Sequence, residues 1–301
     1  MQPQPETRPL VGILWMLSSG LTFVAVTGIV RYLGTDLPAA EGGLIRYAIG
    51  VLILSPAIVK TLRAGFAPGA MRLFVMRGGL HALAVMLWFY AMARIPIAEV
   101  TAIGYLNPVG VTIGAALFFG ETLALRRILA VAVALIGALV ILRPGLREVG
   151  AGQFAQLGAA MFFASSYLMA KRLSQIAQPG VIVAMMSLMV TIFLVPMAAP
   201  VWVPPTYAQV GWLGLVAVIA TAGHYFMTRA FQAAPLTVTQ PVTFLQLVWA
   251  TLLGSLVFGE AVDPYVLIGG GMIIGAISYI TWREARVGRI EITPPPQAAK
   301  L

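Results

Sequence analysis

His81, His224, Asn107 and Gln246 stand deep inside long apolar stretches of this sequence, where a polar side chain is costly unless it has work to do. A helical period of 3.6 residues sorts the polar neighbours of these four into stripes. In one stretch, which also holds the candidate Tyr105, Glu99, Ile103, Asn107, Gly110 and Gly114 share a face; in another Thr239, Thr243, Gln246 and Ala250 do. Further stripes are Arg77, His81 and Trp88; Thr221, His224, Tyr225 and Thr228; and Trp15, Ser19, Thr22 and Val26. Phe162, Ser165, Ser166 and Tyr167 form a less regular one. Stripes of this kind on several helices imply one shared central cavity. Its amides and hydroxyls would orient the polar end of a zwitterionic or aromatic solute, and its Trp and Tyr rings would cover the apolar part.

Each group has a plainer role beside this one. Asn107 and Gln246 could bond a neighbouring helix, an interaction worth ~0.6 to 2 kcal/mol. A histidine titrates near neutrality and could carry a coupling proton, or it could be a satisfied packing residue. The remaining tryptophans, Trp202, Trp212 and Trp282, lie near the ends of stretches, where interfacial belts collect them.

Other chemistries lack their parts. Ser165 and Ser166 have no glycine-framed motif, and neither histidine precedes a closely spaced acid, so a nucleophile with a base in reach is missing. No carboxylate cluster could hold a metal, and the chain has no cysteine, which excludes disulfides and thiolate ligands. The expectation is a protein without catalysis or cofactor, whose partners are a small solute and the lipid bilayer, with no nucleic acid. A channel could also use a polar path; saturable, counterflow-competent flux separates a carrier from it.

The elements that must position these residues follow from composition. Residues are 60% hydrophobic and only 10% charged, and the mean hydropathy is +0.93. A soluble domain carries roughly 25% charged residues, so this is a multi-pass membrane protein. Apolar stretches at 9–31, 41–60, 72–93, 97–119, 124–142, 153–171, 180–200, 207–230, 236–259 and 264–282 each approach the ~20 residues that cross a hydrocarbon core. The fold class is therefore all-α, with ten transmembrane helices. With ten spans the ends and alternate loops share a face. Thirteen of the 19 Lys and Arg fall on that face, while Arg31, Arg94, Arg143 and Arg147 lie on the other and Arg46 and Arg77 within spans. That asymmetry puts both termini in the cytoplasm and explains the net charge of +9 as orientation.

The sequence repeats itself. PIAEVTAIGYLNPVGVTIGAALFFGE at 96–121 recurs as PLTVTQPVTFLQLVWATLLGSLVFGE at 235–260, so Gln246 is the counterpart of Asn107. Five spans per copy is an odd number, so the second copy enters from the opposite side and the two are inverted repeats, expected at 9–145 and 150–284. Residues 1–8 and 285–301 are expected to be disordered cytoplasmic ends. Pro108 and Pro241 each remove a backbone hydrogen bond, freeing the carbonyls of Gly104 and Thr237. In lipid such carbonyls are tolerated where they line a cavity. Both prolines, with Pro56, are expected hinges of an alternating-access carrier with its site at the midplane. Arg46 and Glu99 match in depth and could pair, as a gate or as a static bridge. Glu121 and Glu260 fall at span ends on opposite faces. Gly110 with Gly114, and Gly271 with Gly275, read as GxxxG packing pairs.

The motif LIRYAIGVLIL around Arg46, the stretch WFYAMARIPIAEVTAIGYLNPVGV, the FFGE end of span four and the LIGALVILRPG end of span five resemble the EamA type of the drug/metabolite transporter superfamily. The resemblance covers about residues 9 to 284. It implies an inner-membrane carrier of small metabolites, with amino-acid exporters, including aromatic amino-acid exporters of the YddG type, and uptake carriers among its members. Export of an amino acid or related metabolite is the leading expectation.

Overall fold

The computed structural model describes residues 9–119, 125–146, 148–173, 176–234, 239 and 242–292. The described residues form α1 (Pro9–Leu33), α2 (Ala39–Ala64), α3 (Ala70–Met92), α4 (Ile97–Gly104), α5 (Asn107–Phe119), α6 (Leu125–Leu142), α7 (Ala151–Leu173), α8 (Pro179–Ala198), α9 (Tyr207–Ala233), α10 (Leu245–Phe258) and α11 (Pro264–Ile292). Seven of these, α1, α2, α3, α6, α8, α9 and α11, are each long and apolar enough to span a membrane alone. The helix α7 is equally long, but Gln153, Gln156, Ser165 and Ser166 lower its hydropathy. Span four is divided into α4 and α5, and α10 lies in span nine. Large apolar side chains such as Leu52, Leu139, Leu252 and Leu256 stand outward, a surface that lipid accommodates.

The break in span four sits where proline chemistry puts it. Pro108 has no N–H for the Gly104 carbonyl, and the residues before it tighten instead: Tyr105 N–H donates to Ala102 O at 3.2 Å and Leu106 N–H to Ile103 O at 3.0 Å. Pro56 leaves α2 continuous. Pro241, Glu121, the expected disordered start 1–8 and the last residues of the expected disordered tail lie outside the described residues. Residues 285–292 of the expected disordered tail are helical instead, because α11 runs ten residues beyond 282, to Ile292.

The two halves pack so that exchanging them reproduces the main contacts. The helix α1 packs on α9 and α7 on α3; α3 meets α8 as α2 meets α9; α5 meets α7 as α10 meets α1; α2 packs on α8 and α6 on α11. One contact joins two residues that are each other's counterparts. Tyr105 and Phe244, 139 residues apart and equivalent in the repeat, meet edge to face with ring centroids 5.4 Å apart. Only a point on a twofold axis maps onto itself, so the Tyr105–Phe244 contact lies on the pseudo-axis relating the inverted halves. Between α6 and α11, a Cβ on Gly137 would stand 2.7 Å from the Gly269 carbonyl oxygen. Close helix packing here depends on the absence of side chains. It is Gly137 and Gly269, rather than Gly271 and Gly275, that provide it: a Cβ at either of the latter meets nothing within 4 Å. Gly110 does pack closely, against Ala164 and Met161.

One end of the bundle is tied by a carboxylate. Gly259 closes α10 in the left-handed conformation, φ 64°, and its N–H and that of Glu260 both bond the Gly254 carbonyl. This turn folds the Glu260 side chain back over Gly254. There Glu260 Oε2 accepts the first amide of α4, Ile97 N–H, at 2.8 Å, and Oε1 pairs with Arg31 at 2.9 Å. Arg31 also donates to the Met92 carbonyl at 3.0 Å. The ends of α1, α3, α4 and α10 on the Arg31 face are thereby joined across the repeat.

Candidate functional site

A chamber of about 370 Å³ lies between the halves, within the range of small-molecule sites. Its walls come in equivalent pairs. Met16, Gly20, Phe23 and Thr27 of α1 face it, as do Gln156, Ala160, Phe163 and Tyr167 of α7, each 140 residues further on. His81, Val85 and Trp88 of α3 match Ala220, His224 and Met227 of α9 at a separation of 139. The broken helices add Gly104 and Asn107 on one side and Thr243 and Gln246 on the other. One helix lines it without its counterpart: Arg46 and Tyr47 come from α2, and no described residue of α8 lines the chamber.

Local geometry explains why these groups face inward. Ser19 Oγ donates to the Gly223 carbonyl at 2.9 Å, locking α1 onto α9, and the Gln156 amide donates to the Val100 carbonyl at 2.9 Å, locking α7 onto α4. The Tyr105 hydroxyl donates to the Thr243 carbonyl at 3.3 Å, so one interrupted helix is satisfied by the other. Phe23 packs edge-on to His224 and Phe163 to His81, both with centroids 5.0 Å apart. A chain of hydrogen bonds crosses the wall from Tyr47 Oη to His81 Nε2, 3.0 Å, and from His81 Nδ1 to Ser166 Oγ, 3.1 Å. Asn107 and Gln246 make no side-chain hydrogen bond with another described residue. Buried polar groups usually have partners, so their amides are open to a solute.

Of the residues singled out from the sequence, Ser19, Arg46, His81, Trp88, Tyr105, Asn107, Tyr167, His224, Thr243 and Gln246 line the chamber. Others stand elsewhere. Trp15 packs on Phe226 and Tyr225 beneath Arg229, and Tyr225 is 54% exposed. Thr22 bonds back to the Ser19 carbonyl within α1. Phe162 gives way to Phe163, and Ser166, 1% exposed, supports His81 from behind. Pro108 faces outward. Arg46 and Glu99 do not share one gate. Arg46 stacks over the Tyr47 ring, whereas Glu99, 1% exposed, turns into the α7 interface and accepts from Gln153 at 3.3 Å. Ion pairs among the described residues include Arg31–Glu260 and Arg143–Asp263 instead. Sequence reasoning missed Phe23, Thr27, Tyr47, Gln156 and Phe163. The repeat held the signal for most of them, since Phe23 and Phe163, like Thr27 and Tyr167, are equivalent positions.

The sequence matches the model of the EamA-like transporter family twice, over residues 10–143 and 150–282. It is 31% identical over 291 residues to a riboflavin transporter of Vibrio cholerae, covering 94% of this chain and 97% of that one. A pseudopaline exporter of Pseudomonas aeruginosa is 27% identical over 268 residues, 88% of this chain and 94% of that one. An S-adenosylmethionine uptake transporter of Rickettsia prowazekii is 25% identical over 287 residues, 92% and 94% of the two chains. A solved structure at 18% identity superposes with a TM-score of 0.56 over 93% of this chain and 96% of its own, which establishes the likeness of fold.

Proposed function

The chain belongs to the EamA-like transporter family, and is thus a multi-pass membrane transporter of small molecules; from that premise we propose that it carries a ring-bearing metabolite by alternating access around the central chamber. The observation that carries this reading is the paired wall: Phe23 and Phe163, Trp88 and Met227, and the open amides of Asn107 and Gln246 enclose one space at the repeat interface. Aromatic walls accept a planar solute from either side, and two amides on equivalent broken helices hold its polar end in either orientation of the carrier. A flavin-like solute is supported by the volume of about 370 Å³ and by the 31% identity to the riboflavin transporter of Vibrio cholerae. Export of an aromatic amino acid is the second reading, favoured by Arg46 and the two amides, which together suit the two poles of a zwitterion. The distribution of Lys and Arg supports both termini in the cytoplasm of an inner-membrane protein.

The test is counterflow in proteoliposomes with labelled riboflavin and labelled tryptophan, with and without a pH gradient. Saturable exchange of one of them, lost in Gln246→Leu and in Trp88→Ala, is the expected outcome. Flux that rises linearly with concentration and ignores both substitutions would refute the reading, because solute would then cross by another path.

A further inference from the structure

The chamber is lined by equivalent positions of the two halves, but its charge is one-sided. Of the described groups that line it, Arg46 alone carries a full formal charge, and no carboxylate among them faces it. Three carboxylates of the bundle are engaged elsewhere: Glu41 accepts the Val203 amide at 3.0 Å, Glu99 accepts from Gln153 at 3.3 Å, and Glu260 holds Ile97 and Arg31. The other cation inside a span, Arg77, is 7% exposed, lies off the lining and donates to the Ile182 carbonyl at 3.4 Å. The lining by itself therefore places an uncompensated positive charge within the membrane, a state that an arriving anion relieves.

The guanidinium is also held ready. Its Cζ lies 4.3 Å from the centroid of the Tyr47 ring. The Tyr47 hydroxyl bonds His81, and His81 bonds Ser166, so the platform is fixed through α2, α3 and α7. A stacked guanidinium keeps its N–H edges available, and those edges match the paired oxygens of a carboxylate or phosphate. Its place on α2, whose counterpart α8 contributes no described residue to the lining, gives an otherwise pseudo-symmetric site one distinct end.

Resting on the reading of the chamber as the substrate site, we infer that Arg46 binds an oxyanion of the substrate, so that the carried metabolite is an aromatic or heteroaromatic organic anion. The oxyanion sits on the α2 side, and the ring lies between Phe23, Phe163 and Trp88. Carboxylate and phosphate share this chemistry, and matched probes separate them. Indole-3-acetate is compared with indole-3-acetamide, and riboflavin 5′-phosphate with riboflavin, by counterflow and by thermal stabilisation of the purified protein.

The wild-type chain is expected to prefer the anionic member of at least one pair by roughly 10-fold or more, the size expected of a charge-assisted hydrogen bond. Arg46→Gln should bring that ratio close to unity, and Arg46→Lys, which keeps the charge and loses the fork, should restore part of it. The pair that responds identifies carboxylate or phosphate; a response in both pairs means that any oxyanion suffices. A wild-type ratio near unity in both pairs, or a ratio that Arg46→Gln leaves intact, overturns the role of Arg46 while carriage of ring-bearing solutes stands. A folded wild-type protein that neither binds nor exchanges any of the four probes overturns the proposed function, and this inference with it.

Discussion

Opening the chamber toward the Arg31 face requires the ends of α1, α3, α4 and α10 to part, and Glu260 holds them together. Its two bonds can be sized separately. The Ile97 amide, at 2.8 Å, is one of the orphan donors at a helix start, and losing such a cap costs about 0.5 to 2 kcal/mol. The Arg31 pair is partly screened, with side-chain exposures of 21% and 10%, and its share is discounted to about 0.5 to 1 kcal/mol. Together they give ~2 kcal/mol, which corresponds to a roughly 30-fold shift between two conformations if the latch exists in only one of them. The chain has no cysteine, so a single Thr27→Cys in the chamber wall reports access without background. With a membrane-impermeant maleimide added from the Arg31 face, Glu260→Ala should raise the labelling rate roughly 30-fold. Glu260→Gln, which keeps the acceptor for Ile97, should fall between Glu260→Ala and the parent. A rate unchanged within about twofold in well-folded Glu260→Ala would refute the latch, since by this arithmetic nearly all of its free energy would be missing.

Three further outcomes follow from the geometry. Gly137→Leu drives a side chain into the Gly269 backbone and should cost about 1 to 3 kcal/mol, seen as a lowered melting temperature in detergent, whereas Gly271→Ala, facing open space, should stay within about 0.5 kcal/mol. Tyr105→Phe removes the bond to the Thr243 carbonyl that joins the two broken helices, at about 1 kcal/mol, and should slow counterflow several-fold without altering expression. Pro108→Ala should fold normally, because Pro108 faces outward, and should slow exchange by letting the Gly104 carbonyl regain its helical partner; unchanged flux would remove its part as a hinge.

How much of this was legible in the sequence depends on the physical scale of the signal. Lipid forces every span to satisfy its own backbone, so spans appear as apolar runs. A repeat with a constant spacing exposes the paired architecture, and a proline without an N–H marks the break before Asn107. Asn107, Gln246, His81 and His224 stood out because a polar group in such a run is conspicuous. The face each helix turns inward was harder to see. In a membrane both sides of a helix are apolar, so the pattern of apolar residues does not tell the lipid-facing side from the protein-facing one, and one position of error is a rotation of about 100°. That is the difference between Trp15 and Met16 on α1 and between Phe162 and Phe163 on α7. Depth matched Arg46 to Glu99, yet depth says nothing of azimuth, and the two ended on different surfaces. The sequence alone determined ten spans in two related halves with polar groups at their centre. Only the tertiary structure decided which residues meet between the halves, Tyr105 with Phe244 on the axis and Gly137 with Gly269 between α6 and α11, because side-chain packing between helices sets their rotation and apolar periodicity does not.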